Sequence, residues 1–168
     1  MSNQAYPSLD GIAPSWSDIE VAITPTASTK LDAEDISGIK YSSKVEVGMQ
    51  KGTSGGRGMR RTTGESSFEA SATFYKSGLR KFVDALVAAA PEYAMRGNQV
   101  RISLVGFDVD IMHTPPGETD IYHTRLKGCR LLGYSEDLKE GNEADQCEVT
   151  LNPIEIVHMR DGKEIVLL

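Results

Sequence analysis

Little in this chain is suited to export or to covalent chemistry. Its 168 residues hold two cysteines, three histidines and one tryptophan. Cys129 and Cys147 fit no metal-ligand spacing. A disulfide across neighbouring strands is geometrically open to them. With nothing else pointing to secretion, however, a reduced, buried pair is the expectation. The first residues, MSNQAYPSLDG, have no basic start and no apolar run, so no signal peptide is expected. No apolar stretch approaches the length of a membrane span. The expectation is a protein made in a reducing cytoplasm, with no membrane partner. Positive charge is also short. Eighteen Lys and Arg against 24 Asp and Glu give a net charge of −6. That balance argues against a general nucleic-acid binder, because phosphate binding needs clustered cations.

Motifs of catalysis are equally scarce. There is no G-x-S-x-G elbow, and neither cysteine has a nearby histidine with an orienting acid. Cys129 follows Gly128 inside an apolar strand and reads as a small core residue. Asp108, Asp110 and His113 form a D-x-D-x-x-H string in which both aspartates share a strand face. The stronger reading is a solvated polar face running into a loop. His113 and His123 flank the Pro115-Pro116-Gly117 loop, with no third ligand in view, and read as turn and strand residues. No catalytic residue, cofactor or metal is assigned, and the chain is not expected to be an enzyme.

What is present is a long hairpin. Ile39 to Met49 alternates, with Ile39, Tyr41, Val45, Val47 and Met49 on one face and Lys40, Ser42, Lys44 and Glu46 on the other. Ser66 to Tyr75 alternates likewise, Phe68, Ala70, Ala72 and Phe74 opposing Ser67, Glu69, Ser71 and Thr73. A period of two means strands with one buried face. Between them lies QKGTSGGRGMRRTTGE, residues 50–65. Structureless loops of that length are uncommon and usually functional or disordered. It lacks the Lys-Ser/Thr ending of a P-loop and precedes a strand, so no helix N-terminus is there for a phosphate. Its basic residues, Lys51, Arg57, Arg60 and Arg61, suit pairing with a partner's carboxylates.

The rest of the chain fills in around that hairpin. Residues 1–16 read as an irregular arm anchored by Trp16. Asp18 to Thr24 reads as a short strand that Pro25 ends or places on an edge. Residues 26–37 read as a polar connection, with a turn of helix at Asp32–Asp35. Ser77 to Ala90 carries an apolar stripe (Leu79, Phe82, Val83, Leu86, Val87, Ala90) at helical spacing, with Ser77 as N-cap and Pro91 as the stop. Val100 to Ile111 reads as a strand with a bulge or bend near Val105–Gly106. Ile121 to Tyr134 is one long strand or two broken at Gly128. Gln146 to Leu151 alternates cleanly. After Pro153 the apolar phase moves to Ile154 and Ile156. Arg160-Asp161-Gly162-Lys163 is a hairpin turn, and Glu164 to Leu168 a terminal strand. One domain is expected from the length. Its class is mainly β, an antiparallel sandwich or barrel with one flanking helix.

In order and spacing, several of these pieces resemble phage tail tube proteins. They are Val45-Glu46-Val47-Gly48-Met49-Gln50-Lys51-Gly52-Thr53, Arg60-Arg61-Thr62-Thr63-Gly64-Glu65 with the strand Ser67 to Phe74, the helix, Leu126-Lys127-Gly128-Cys129-Arg130, and Glu148 to Ile156. The resemblance implies a homo-oligomer: six-fold rings stacked head to tail into a tube that conducts DNA without binding it specifically. It implies a β-sandwich whose sheets join around the lumen. It implies that residues 50–65 reach an adjacent ring, with Lys51, Arg57, Arg60, Arg61 and Glu65 as contacts. It implies partners of the sheath, tail terminator, baseplate hub and tape measure kind, and a place in a virion tail assembled in the bacterial host cytoplasm. Glu46 and Glu69 are candidate lumen-lining residues, with Lys40 and Lys44 on the same face. The tube of a phage-like bacterial injection system is a close alternative. A β-barrel binding single-stranded nucleic acid is a more distant one, and needs stacking aromatics that residues 50–65 lack. A small-ligand barrel needs inward polar groups, whereas Ala70, Ala72, Val149 and Leu151 are apolar.

Overall fold

The computed structural model describes residues 19–24, 29–32, 34–51, 58–61, 64–114, 120–137 and 145–166. The arm at 1–16, with Trp16, therefore lies outside the described residues, as do Arg57 and the Pro-Pro-Gly loop. Two antiparallel sheets share one long strand. The first runs β2 (Thr29–Leu31), β1 (Ile19–Thr24), β9 (Phe107–His113), β10 (Tyr122–Asp137), β12 (Glu155–Arg160) and β13 (Lys163–Val166). The second runs β10, β11 (Gln146–Asn152), β6 (Glu65–Tyr75) and β3 (Ile36–Glu46). This is a sandwich, not a closed barrel, among the described residues.

β10 passes from one sheet to the other near Gly128. Its pairing with β9 slips between Leu126 and Cys129, and Gly128 has φ of 61°. A Cβ there would lie 2.6 Å from Ile154 Cδ1. Only glycine suits a left-handed residue packed that closely. The chain is thus not broken at Gly128; it kinks and continues as one strand.

The alternating strands bury the faces expected of them. Ala70, Ala72, Phe74, Val149 and Leu151 of the second sheet meet Val21, Val109, Ile111, Leu126 and Ile156 of the first. The helix α1 (Lys76–Ala88) closes one side of this core through Phe82 and Leu86. Phe82 stacks on Phe74 at 5.0 Å and meets Phe107 edge-on at 5.5 Å. Both geometries suit aromatic quadrupoles. Cys129 and Cys147 are free and buried.

Several boundaries differ from the sequence reading. The helix starts one residue earlier than expected, and its N-cap is Tyr75, without a side-chain cap, not Ser77. The strand expected at Val100–Ile111 is β8 (Gln99–Val100), a 3₁₀ turn (Ile102–Leu104) and β9. Here Val105 is buried and leads into β9, so of the bulge and the bend that the phase change allowed, it is the bend, made by a turn. β8 pairs with β7 (Met95–Arg96) in a small hairpin that the sequence did not signal. After Pro153 only Ile156 turns inward, while Ile154 is 75% exposed. The Asp161-Gly162 turn is as expected, with φ of 51° and 73°.

Residues 50–65 are not simply a loop. β4 (Met49–Lys51) pairs with β5 (Gly58–Arg61), so the hairpin continues beyond the sheet as a two-stranded arm. Glu65 already belongs to β6, opposite Glu46. At the root of the arm, a Cβ on Gly64 would lie 2.0 Å from the Glu46 carbonyl oxygen. The two chains cross there in backbone contact.

Candidate assembly surfaces

The D-x-D-x-x-H string resolves into structural roles. Alternation puts Asp108 and Asp110 on the outward face of β9 and His113 on the other. Asp108 accepts a hydrogen bond from the Gly128 backbone N–H at 2.8 Å, which fixes the kink of β10. One oxygen of Asp110 faces Arg125 Nε at 2.6 Å and His123 Nε2 at 2.7 Å. Burial pushes the Asp110 carboxyl up. The hydrogen bonds and charges of Arg125 and His123 outweigh that and hold it below the usual carboxylate range. Arg125, in turn, is raised by its hydrogen bond to Asp110. His113 and His123 point to opposite faces, paired with Tyr122 and Met112. The Cys129 thiol is pushed up to about 12 by burial and by the nearby Asp108 charge, so it stays protonated and unreactive.

The second sheet presents a polar face. Lys40, Ser42, Lys44 and Glu46 of β3 lie opposite Ser71, Glu69, Ser67 and Glu65 of β6. Glu148 and Thr150 of β11 continue it, as do Asn152 and Arg130. Lys44 pairs with Glu46 at 2.9 Å. Among the described side chains, four carboxylates (Glu46, Glu65, Glu69, Glu148) thus face three cations (Lys40, Lys44, Arg130), a nearly balanced set. A concavity of about 660 Å³ spans it, lined by Lys40, Ser42, Ser67 and Glu69 with the exposed Leu132 and Ile154.

Both margins of this sheet are open. Ile39–Glu46 of β3 pair only with β6, and Arg130–Asp137 of β10 only with β11, among the described residues. Leu132 is 66% exposed beside the second margin, at a bulge between Leu131 and Gly133. Tyr134 donates to Glu136 at 2.5 Å, and Lys76 at the helix start reaches Glu136 at 3.4 Å. These contacts tie the end of β10 to α1.

No family model matches the sequence, and no curated protein matches it. Solved structures do. A chain of the PVC sheath/tube terminator, from an extracellular contractile injection system in the extended state, matches with a TM-score of 0.63 at 12% identity, over 91% of this chain and 100% of that one. One from the sheath–tube complex of the same system matches with 0.60 at 12%, over 88% and 91%. One from the anti-feeding prophage tube-terminating cap matches with 0.60 at 11%, over 95% and 99%. The chain has the tail-tube fold. At such low identity the likeness establishes the fold alone.

Within the tail-tube fold, the basic residues expected to act together fall on the arm. Lys51 lies in β4, and Arg60 and Arg61 in β5, with Gln50 opposite Arg60 and Met49 opposite Arg61. Glu65 lies apart from them, on the sheet. Glu46 and Glu69 are exposed on the polar face, on neighbouring strands and four residues apart in register. Sequence reasoning missed the Asp110–Arg125–His123 cluster and the apolar rim of Leu132 and Ile154. The first had a signal. Asp110 and Arg125 are equidistant from the centre of the Pro-Pro-Gly connection, as are His113 and Tyr122, so a symmetric hairpin implies that register.

Proposed function

We propose that this protein is the structural subunit of a tail tube. The observation that carries the reading is the pair of open margins on the second sheet. Its strands alternate in direction from β10 through β11 and β6 to β3. A second copy, rotated about an axis parallel to the strands, brings its β10 antiparallel to the first copy's β3. Repeating the step closes a ring through one heterologous contact. Closure also removes the edges, which are a liability in isolation.

In this reading the polar face lines the channel, with Glu46 and Glu69 on it and Lys40 and Lys44 between. The balanced charge leaves a phosphate chain little to adhere to, so DNA passes without specific binding. The arm, through Lys51, Arg57, Arg60 and Arg61, ties one ring to the next, and the rings are six-fold. No catalysis is involved. Partners of the sheath, terminator and baseplate kinds fit the systems in which the fold recurs, with a tape measure protein inside. The recurrence of the fold in extracellular contractile injection systems favours, as a second reading, a phage-like injection machine over a virion.

Negative-stain electron microscopy of the purified protein tests the proposal. Hollow rings or tubes are expected. A strictly monomeric species at high concentration, with and without a tail-completion partner, overturns it.

A further inference from the structure

A second concavity, of about 590 Å³, lies where β10 begins, beside the turn that joins β12 to β13. Ile121, Tyr122 and Ile165 line it, 60%, 57% and 41% exposed. Asp120, Arg160 and Asp161 edge it. Isolated exposed apolar residues are ordinary, but three around one hollow mark a docking surface. A second exposed apolar feature protrudes. After α1 a 3₁₀ turn (Glu92–Ala94) leads into the hairpin of β7 and β8, and there Tyr93 is 68% and Met95 45% exposed. We propose that this knob of one copy enters the hollow of a second copy, head to tail.

The knob is built to be rigid. Ala94 is fully buried, and its carbonyl accepts from the Arg101 N–H at 2.8 Å. That contact pins the base, while Tyr93 and Met95 on either side of Ala94 stay in solvent. Gly97, with φ of 58°, makes the tight turn between β7 and β8. A pre-set protrusion loses little freedom on docking. Tyrosine and methionine suit the role, since both are enriched at interfaces. Charge agrees as well. Glu92 and Arg96 flank the two apolar side chains, and the rim answers with Arg160, Asp120 and Asp161. Such rim charges orient an encounter more than they strengthen it.

The topology keeps knob and hollow apart within one chain. The hairpin joins the Phe107 end of β9 through the turn Ile102–Leu104, whereas His113 at the other end pairs with Tyr122. The seven residues of β9 separate those ends by roughly 20 Å. A knob at one end and a hollow at the other meet only between copies, in a heterologous contact that repeats along a filament. Arg130 of β10 is level with Ser42, so β10 follows β3 toward Glu46 and the arm as it is traced back to Tyr122. The hollow therefore belongs to the arm's end of the subunit. In placing the contact between successive rings, the inference rests on the tube reading above.

Two measurements test it. Met95→Cys and Ile121→Cys, prepared as separate proteins and mixed, should be joined by a short bismaleimide, and neither should join to itself. Cys129 and Cys147 are buried and leave the background low. Adding Tyr93→Asp to the first protein, or Ile165→Asp to the second, should lower the yield about tenfold or more, as at an interface hot spot. By electron microscopy, Tyr93→Asp and Ile165→Asp should each keep rings and circular dichroism but lose long tubes. Mixing these two variants should give ring pairs, because one intact knob then meets one intact hollow. Wild-type tube lengths from both variants overturn the contact and leave the tube reading standing. Self-linking of Met95→Cys as strong as the mixed product also overturns it, since that shows a symmetric contact. Wild-type protein that forms no rings, together with a mixed product sensitive to Tyr93→Asp, refutes the ring and upholds the contact.

Discussion

Gly78 is the position at which a single methyl group should do most harm. It lies in the first turn of α1, against the turn that leads into β3. The Tyr75 N–H donates to the Asp35 carbonyl at 3.0 Å, and Lys81 Nζ reaches Asp35 Oδ2 at 2.7 Å. A Cβ on Gly78 would lie 1.9 Å from the Asp35 carbonyl oxygen and 2.5 Å from its carbon. Both are backbone atoms, so no side-chain rotation relieves the contact, and helix and turn must separate by more than an ångström. That overpacking costs about 1–3 kcal/mol, and the Tyr75 hydrogen bond, stretched by the same movement, about 1 kcal/mol more. Better helix propensity returns about 1 kcal/mol to Gly78→Ala. The net loss is about 1–3 kcal/mol, and the melting temperature should fall by roughly 2–12 °C at this chain length. Thermal unfolding is to be followed on unassembled protein, since assembly stabilises by mass action. Gly38→Ala is the control. A Cβ there meets nothing within 4 Å, so its effect should stay within about 0.5 kcal/mol. A Gly78→Ala protein that melts at or above the wild-type temperature would refute the clash.

Four further perturbations address the surfaces. Asp110→Asn should cost about 1–3 kcal/mol at neutral pH, between the values for exposed and buried pairs, because it leaves the Arg125 charge half-buried. The Asp110 carboxyl is depressed in the fold, so its stabilisation is present above the unfolded value, about 3.9, and is lost as the pH falls through the folded value. Denaturant titrations should therefore show a weaker acid dependence below about pH 4 in Asp110→Asn than in the wild type; parallel curves would assign the linkage elsewhere. Deleting residues 55–61 should leave the subunit folded and block stacking, and tubes of normal length from that variant would remove the arm from the contact. For the same reason Arg60→Glu should harm assembly more than Arg101→Glu. Arg101 is an exposed residue capping a 3₁₀ turn, not the strand residue its sequence suggested. Leu132→Asp should preserve the circular dichroism and shift sedimentation from rings to monomers, and unaltered ring formation would show that the β10 margin is not the seam.

The sequence made legible whatever depends on local period. β6 and β11 each bury one face, and the stripe of Leu79, Phe82, Val83 and Leu86 has helical spacing. Each pattern is imposed within one element, so no partner need be known. What was not legible depends on register. The Asp110–Arg125 pair exists because β9 and β10 meet at that offset, and a carboxylate on an alternating strand otherwise looks solvated. The N-cap at Tyr75 follows from β6 running directly into α1, which leaves Ser77 already inside the helix. Ile154 was placed on the apolar face because it alternates with Ile156, yet it rides over Gly128, outside the sandwich. The arm escaped because glycine and arginine obscure the alternation that marks a strand, although β4 and β5 do pair.

The open margins carry the deeper consequence. An edge strand as long as β3 invites indiscriminate pairing unless something discourages it. Lys40, Lys44 and Glu46 place charge on every polar-face position but one, Ser42, along that edge, and the bulge beside Leu132 distorts the other. An unrelated flat strand approaching β3 would set its own residues against these charges. A copy of the same chain instead offers Arg130, Gly133 and Ser135 on the polar face of β10. In the antiparallel closure by rotation the levels along the strands are kept. Gly133, which pairs with Thr150 and through Ser71 with Lys40, thus comes level with Lys40 and leaves room for it, while Arg130 comes level with the uncharged Ser42. Like charges set opposite one another cost stability, and opposite ones contribute modestly. Selectivity for self therefore comes less from strong attraction than from the penalty on other partners. Gly133→Lys, which sets like charges against Lys40 at the seam while its Cβ would meet Thr150 only at 3.6 Å on the isolated subunit, should lower ring yield more than Glu148→Lys in the sheet interior, as read by sedimentation. Equal yields would mean that backbone pairing alone selects the partner.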